Sequence, residues 1–178
     1  MDYRRFNIYL KEAGGLNCSK LFFKRSVYAV VSIIGSSSSP SKQQTCVGKY
    51  NGTNPTWGLR SSLRFYLEDS ELQQDHLVLM IQLMCKRILG SDKVIGEVYV
   101  PLKELYDNSG STNHGFHQVV KPSGSGKDHG FLYFNYDFGE IIRGAVKKDN
   151  GAVAYPLIRT HSRVNPSAPC LEYLSLGL

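Results

Sequence analysis

The sequence contains no apolar run near the roughly 18–20 residues that a membrane-spanning helix requires. Its longest candidates, Val27 to Ile34 and Leu77 to Leu83, are strand-sized and broken by polar residues, so no transmembrane span is expected. Behind Met1-Asp2-Tyr3-Arg4-Arg5 the chain alternates polar with apolar residues, whereas a secretory leader needs an uninterrupted apolar stretch. Cytoplasmic residence is the expectation. Cysteine is sparse too: Cys18, Cys46, Cys85 and Cys170 are scattered, with no Cys-x-x-Cys pair and no Cys/His set at zinc spacing. That pattern predicts four reduced thiols and no structural zinc. Asn17-Cys18-Ser19 and Asn51-Gly52-Thr53 match the glycosylation pattern but carry no meaning in a chain kept from the export route.

Catalytic signatures are also missing. His114-x-x-His117 with His129 lies in Gly-rich loop and strand, lacks the i, i+4 spacing of a helical ligand pair, and has no carboxylate placed to orient the rings. Gly124-Ser125-Gly126-Lys127 fails as a phosphate loop, because Lys121 stands where its first glycine belongs and Asp128 where Ser or Thr must follow the lysine. No Gly-x-Ser-x-Gly elbow occurs. A non-enzymatic protein is expected. The isoelectric point near 9.1 invites a nucleic-acid reading, but the cations form no groove-tracking stripe and no recognised motif accompanies them, so nucleic acid is not expected as a partner.

What is present is a globular mixture: 42% hydrophobic, 20% charged and 11% aromatic residues in 178, enough for one domain with a sizeable core. The net charge of +6 is shared, about +4 up to Phe138 and +2 beyond it, and a mildly positive body suits an anionic partner. From Arg4 to Phe138 the period is two, in short β-branched or aromatic runs separated by Gly, Ser, Asn and Pro. Strands are predicted over Arg5–Lys11, Val27–Ile34, Thr45–Tyr50, Ser62–Leu67, His76–Met84, Val94–Val100, Phe116–Lys121 and Gly130–Phe138, with a helical piece over Leu102–Tyr106 opened by Pro101. Even spacing of short strands predicts an all-β, roughly eight-stranded antiparallel sandwich. After Gly139 the period fades, so residues 1–140 are expected to form the domain and 141–178 a flexible low-structure tail.

Four phrases in order give these strands a family likeness: Val27-Tyr28-Ala29-Val30-Val31-Ser32-Ile33, Gly52-Thr53-Asn54-Pro55-Thr56-Trp57, Ile95-Gly96-Glu97-Val98-Tyr99-Val100-Pro101-Leu102 and Gly130-x-Leu132-x-Phe134-x-Tyr136. Together they closely resemble the C2 domain over Asp2 to Glu140. Met1-Asp2-Tyr3-Arg4 and Val120-Lys121-Pro122-Ser123-Gly124 make the chain similar to the small plant C2 proteins of the cold-induced group, which carry one N-terminal C2 domain and a variable tail.

The resemblance implies a C2-type β-sandwich whose loops at one end face a membrane, often with calcium held between loop carboxylates and lipid phosphate. Here those carboxylates are depleted. Ser26 stands where the family has Asp before Val27-Tyr28, the earlier loop Asp corresponds to Gly14 or Gly15, and the later loop has Lys86 and Arg87 where an Asp-x-Asp set belongs. Asp92 is the one surviving calcium candidate there, and a single carboxylate beside cations holds that ion poorly. No cofactor is therefore expected.

The same loops carry Lys20, Phe22, Phe23, Lys24 and Arg25 in the first and Lys86, Arg87, Ile88 and Leu89 in the second. Apolar tips between cations suit an anionic bilayer surface. Lys49, Arg60 and Arg64 fall in or beside strands three and four, where the family often binds phosphoinositides. Anionic phospholipids or phosphoinositides are the expected partners, largely without calcium, on the plasma membrane or another cytosol-facing membrane, in plant stress or defence signalling. The alternative is a scaffold that binds proteins through a sheet face or the tail, with incidental lipid binding.

Overall fold

The computed structural model describes residues 1–16, 26–36, 42–51, 54–58, 61–87, 89–110, 113–120, 130–144, 146–147 and 153–154. Its elements in chain order are β1 (Tyr3–Gly14), β2 (Val27–Ile34), β3 (Lys42–Gln44), β4 (Lys49–Asn51), β5 (Asn54–Thr56), β6 (Ser62–Glu68), α1 (Asp69–Leu72), β7 (Val78–Cys85), β8 (Lys93–Pro101), α2 (Leu102–Asp107), β9 (His114–Gln118), β10 (Phe131–Ile142), β11 (Val146–Lys147) and β12 (Val153–Ala154).

Two antiparallel sheets form the expected sandwich. The first runs β4-β5-β1-β10-β9, with β6 also paired to β1, and the second runs β3-β2-β7-β8. Because side chains alternate along a strand, Phe6, Ile8 and Leu10 of β1 point into the sandwich and are fully buried. They meet Phe65, Phe134, Ile81 and Leu83 in one continuous core. Aromatic contacts knit its centre: Phe6 lies 4.8 Å from Phe138 and 6.3 Å from Phe65, centroid to centroid. Trp57 is buried as an anchor at the core's edge, and its backbone N–H donates to the Lys11 carbonyl at 2.8 Å.

The far end, where β1 begins and β10 finishes, is closed by Arg4. Its Nε donates to Asp69 Oδ1 at 2.8 Å, its Nη1 to the Gly139 carbonyl at 3.0 Å, and its guanidinium sits 5.2 Å above the Tyr106 ring. One side chain thus joins β1, α1, β10 and α2. Between the sheets, Val120 and Glu97 exchange two backbone hydrogen bonds of 2.9 Å just after β9 leaves β10, so one segment is bonded into both layers.

Several expected elements differ in detail. Of the expected strand Thr45–Tyr50 only Lys49 and Tyr50 are extended, in β4, because Thr45 to Gly48 bends against β2: Thr45 Oγ1 accepts the Ala29 N–H at 2.9 Å and the Gly48 N–H donates to the Val27 carbonyl at 2.7 Å. β3 before it and β5 after it add two three-residue strands to the expected eight. β10 continues to Ile142, past the boundary expected at residue 140, and β11 pairs with β12 as a short ribbon. Most of 141–178 lies outside the described residues. The four expected thiols are corrected at Cys46, which is disulfide-bonded, whereas Cys85 is a thiol; Cys18 and Cys170 lie outside the described residues. Spacing along the chain does not tell which distant cysteines meet.

Candidate functional site

Register brings the two expected loops to one end of the sandwich. Val27 opens β2 opposite Cys85, the last residue of β7, and the Lys86 N–H donates to the Ser26 carbonyl at 2.9 Å. The exit of the β1–β2 loop therefore abuts the start of the β7–β8 loop. Gly14 pairs with Phe131 at the same end, and the Gly15 N–H donates to Asn54 Oδ1 at 3.2 Å, tying the start of β5 to the end of β1.

The β7–β8 loop is closed by Asp92. Oδ2 accepts the Tyr28 hydroxyl at 2.7 Å and Oδ1 accepts the Arg87 backbone N–H at 3.2 Å. The Tyr28 hydrogen bond, then the Arg87 amide and the nearby Lys86 ammonium hold the Asp92 carboxyl below the usual carboxylate range. That same bond, aided by burial, raises the Tyr28 phenol. Around this tie Lys86, Arg87 and Lys93 are exposed, and Leu89 is 87% exposed at the tip. An exposed apolar tip on a loop that leaves β7 through Lys86 and Arg87 and enters β8 at Lys93 suits an anionic, partly apolar surface.

Calcium does not fit these residues. Both oxygens of Asp92 already accept hydrogen bonds, and a Lys and an Arg flank it where hard oxygen ligands are needed. Among the described residues no three of His, Cys, Asp and Glu come together as a metal site.

The other expected site residues are only partly placed. Lys20, Phe22, Phe23, Lys24, Arg25, Arg60 and Ile88 lie outside the described residues, and of Lys49 only the backbone, in β4, is described. Arg64 is exposed on β6 but tethered: Nε donates to Asn7 Oδ1 at 3.2 Å, and Asn7 Nδ2 donates to Asp137 Oδ2 at 2.7 Å. Its charge is thereby relayed across β1 to a carboxylate on β10. The Arg64 backbone is clipped on both polar groups by the Gln43 side chain from the facing sheet.

Sequence reading missed two features. Tyr28 alternates as an ordinary strand residue, and its partner Asp92 is 64 positions away. Phe116 on β9 is 68% exposed and stacks on Phe131 at 5.1 Å; the alternation of β9 against β10 could have put both rings on the solvent side.

The chain is 38% identical over 151 residues to Protein SRC2 of Glycine max and 34% identical over 142 residues to Protein SRC2 homolog of Arabidopsis thaliana, covering 83% and 79% of this chain and 50% and 42% of theirs. It spans about half the length of these curated relatives. Neither name is an enzyme's. In structure it is similar to a C2 domain of plant Extended Synaptotagmin 1, with a TM-score of 0.58 at 17% identity over 75% of this chain and 92% of that one. At that identity the likeness is one of fold. No helix among the described residues is long and apolar enough to cross a membrane. The C2 domain model matches residues 4–118, well over half of the chain, which therefore belongs to the C2 domain family.

Proposed function

We propose that this C2 domain is a non-enzymatic module that docks reversibly on anionic, cytosol-facing membranes without calcium, serving plant stress or defence signalling from the cytoplasm. One observation carries the reading: the β7–β8 loop holds an almost fully exposed Leu89 among Lys86, Arg87 and Lys93. Each cation near anionic headgroups contributes about 1 kcal/mol, while the leucine enters the headgroup boundary. Permanent charge takes the part that a bridging ion plays elsewhere in the family. Lys20, Phe22, Phe23, Lys24 and Arg25 would extend the surface from the first loop, with Ile88 beside Leu89, and Lys49, Arg60 and Arg64 would favour phosphoinositide headgroups.

The test is co-sedimentation with neutral vesicles and with vesicles containing phosphatidylserine and phosphoinositide, in calcium and in excess chelator. Equal binding to the anionic vesicles in both is expected. Binding only with calcium, or none, overturns the reading. Replacing Lys24, Arg25, Lys86 and Arg87 together by Glu should release the protein from anionic vesicles.

A second reading, docking of a partner protein, is favoured by Phe116, a large exposed ring on β9, the outer strand of its sheet among the described residues. It leads if no vesicle binds in either condition.

A further inference from the structure

Resting on the docking reading above, we infer that Tyr28 and Asp92 are positioning residues for the lipid-contacting loop: the Tyr28–Asp92–Arg87 clasp holds the β7–β8 loop in its binding shape.

Tyr28 belongs to β2, a strand paired along its whole length with β7, so its hydroxyl is fixed to the rigid part of the sandwich. Asp92 stands at the other end of the loop, one residue before β8. Its Oδ1 reaches back five residues to the Arg87 amide at 3.2 Å, while Oδ2 takes the Tyr28 proton at 2.7 Å. One carboxylate therefore ties the loop's entrance, its exit and the neighbouring strand together. Between the two anchored ends Leu89, Gly90 and Ser91 are exposed. Both hydrogen bonds are charge-assisted, the stronger kind.

Function follows from what a loose loop would lose on binding. Ordering a flexible segment at a surface costs free energy that must come out of the binding energy, and a segment already held in place avoids that cost. A negative charge amid Lys86, Arg87 and Lys93 would be expected to weaken attraction to an anionic surface. Its retention makes sense because both oxygens are engaged, by the Tyr28 hydroxyl and by a backbone amide. The carboxylate that elsewhere in the family would face an ion is here an internal tie.

The test uses the full chain and vesicles of phosphatidylcholine with 30% phosphatidylserine in excess chelator. Tyr28→Phe removes one hydroxyl and keeps the ring, and Asp92→Ala removes the tie outright. Hydrogen exchange at the Arg87 amide reports the clasp itself. Both variants should keep the thermal midpoint within a few degrees, exchange the Arg87 amide faster and bind the vesicles about 3–10-fold more weakly, chiefly through slower association into the bound geometry. Asp92→Glu, long enough to reach Tyr28, should recover part of the affinity. Wild-type binding with undiminished binding by Tyr28→Phe and Asp92→Ala overturns the inference alone. If the unaltered chain fails to bind, the docking reading falls and the inference with it. Tighter binding by Asp92→Ala would show that its charge matters more than its tie, and would also overturn it.

Discussion

Protonating His117 costs the folded state more than the unfolded chain. The ring is half-buried and stacked on Phe134, 5.4 Å between centroids and 13° between planes, and burial lowers its pKa against a smaller opposing pull from Glu104. With the folded value below the unfolded one of about 6.5, the unfolded chain takes up the proton first as pH falls. Stability present above about pH 6.5 is therefore lost as pH drops through the interval between the two values. The urea midpoint should be lower at pH 5.5 than at 7.5, and His117→Gln should remove much of that difference; an unchanged difference would refute the assignment. At this scale the sequence told most where packing alone decides. Trp57 as a buried anchor was readable, and so was Gly96, where an added methyl group would lie 2.3 Å from Val119. Tyr28 with Asp92, and Asn7 with Asp137, were not, because hydrogen bonds between residues 64 and 130 positions apart leave no local pattern.

Among elements, the junction of β10 with the end of β1 is the tightest. Gly130 has φ of 95°, and a Cβ there would stand 1.8 Å from the Gly14 carbonyl oxygen. Gly130→Ala must both strain its own backbone and push the two strands apart, a cost of about 3 kcal/mol. At roughly 2–4 °C per kcal/mol for a chain of this size, the thermal midpoint should drop by about 6–12 °C; calorimetry giving a shift below about 2 °C would contradict the packing. Most strands were legible from their period of two, since half-buried strands must alternate. The exceptions have physical causes. Thr45 to Gly48 bends because its hydrogen bonds go to β2 out of step, α1 is only four residues and too short for a helical period, and β10 outlasts its apolar alternation by pairing Arg4 with Ile141 and Tyr3 with Ile142.

For the molecule as a whole, the net charge of +6 and the three cations around Leu89 tie membrane affinity to salt. Screening shortens from about 10 Å at 0.1 M to about 3 Å at 1 M. If Lys86, Arg87 and Lys93 each contribute about 1 kcal/mol, affinity for anionic vesicles should fall about 100-fold over that range, measured by titration of vesicles at each salt; a flat response would remove electrostatics from the binding. The fold and family were legible because four phrases in order span the whole sandwich. The site was legible as composition only, for loop shape depends on which distant residues meet. The pairing of β1 with β10 reaches beyond the finished molecule. Asn7 waits for Asp137, 130 residues later, so at ribosomal rates of roughly 5–20 residues per second β1 is made about 7–26 s before the strand that covers its edge. During that interval the edge of β1 stands without its partner strand, an exposure set by the order in which the strands are synthesised.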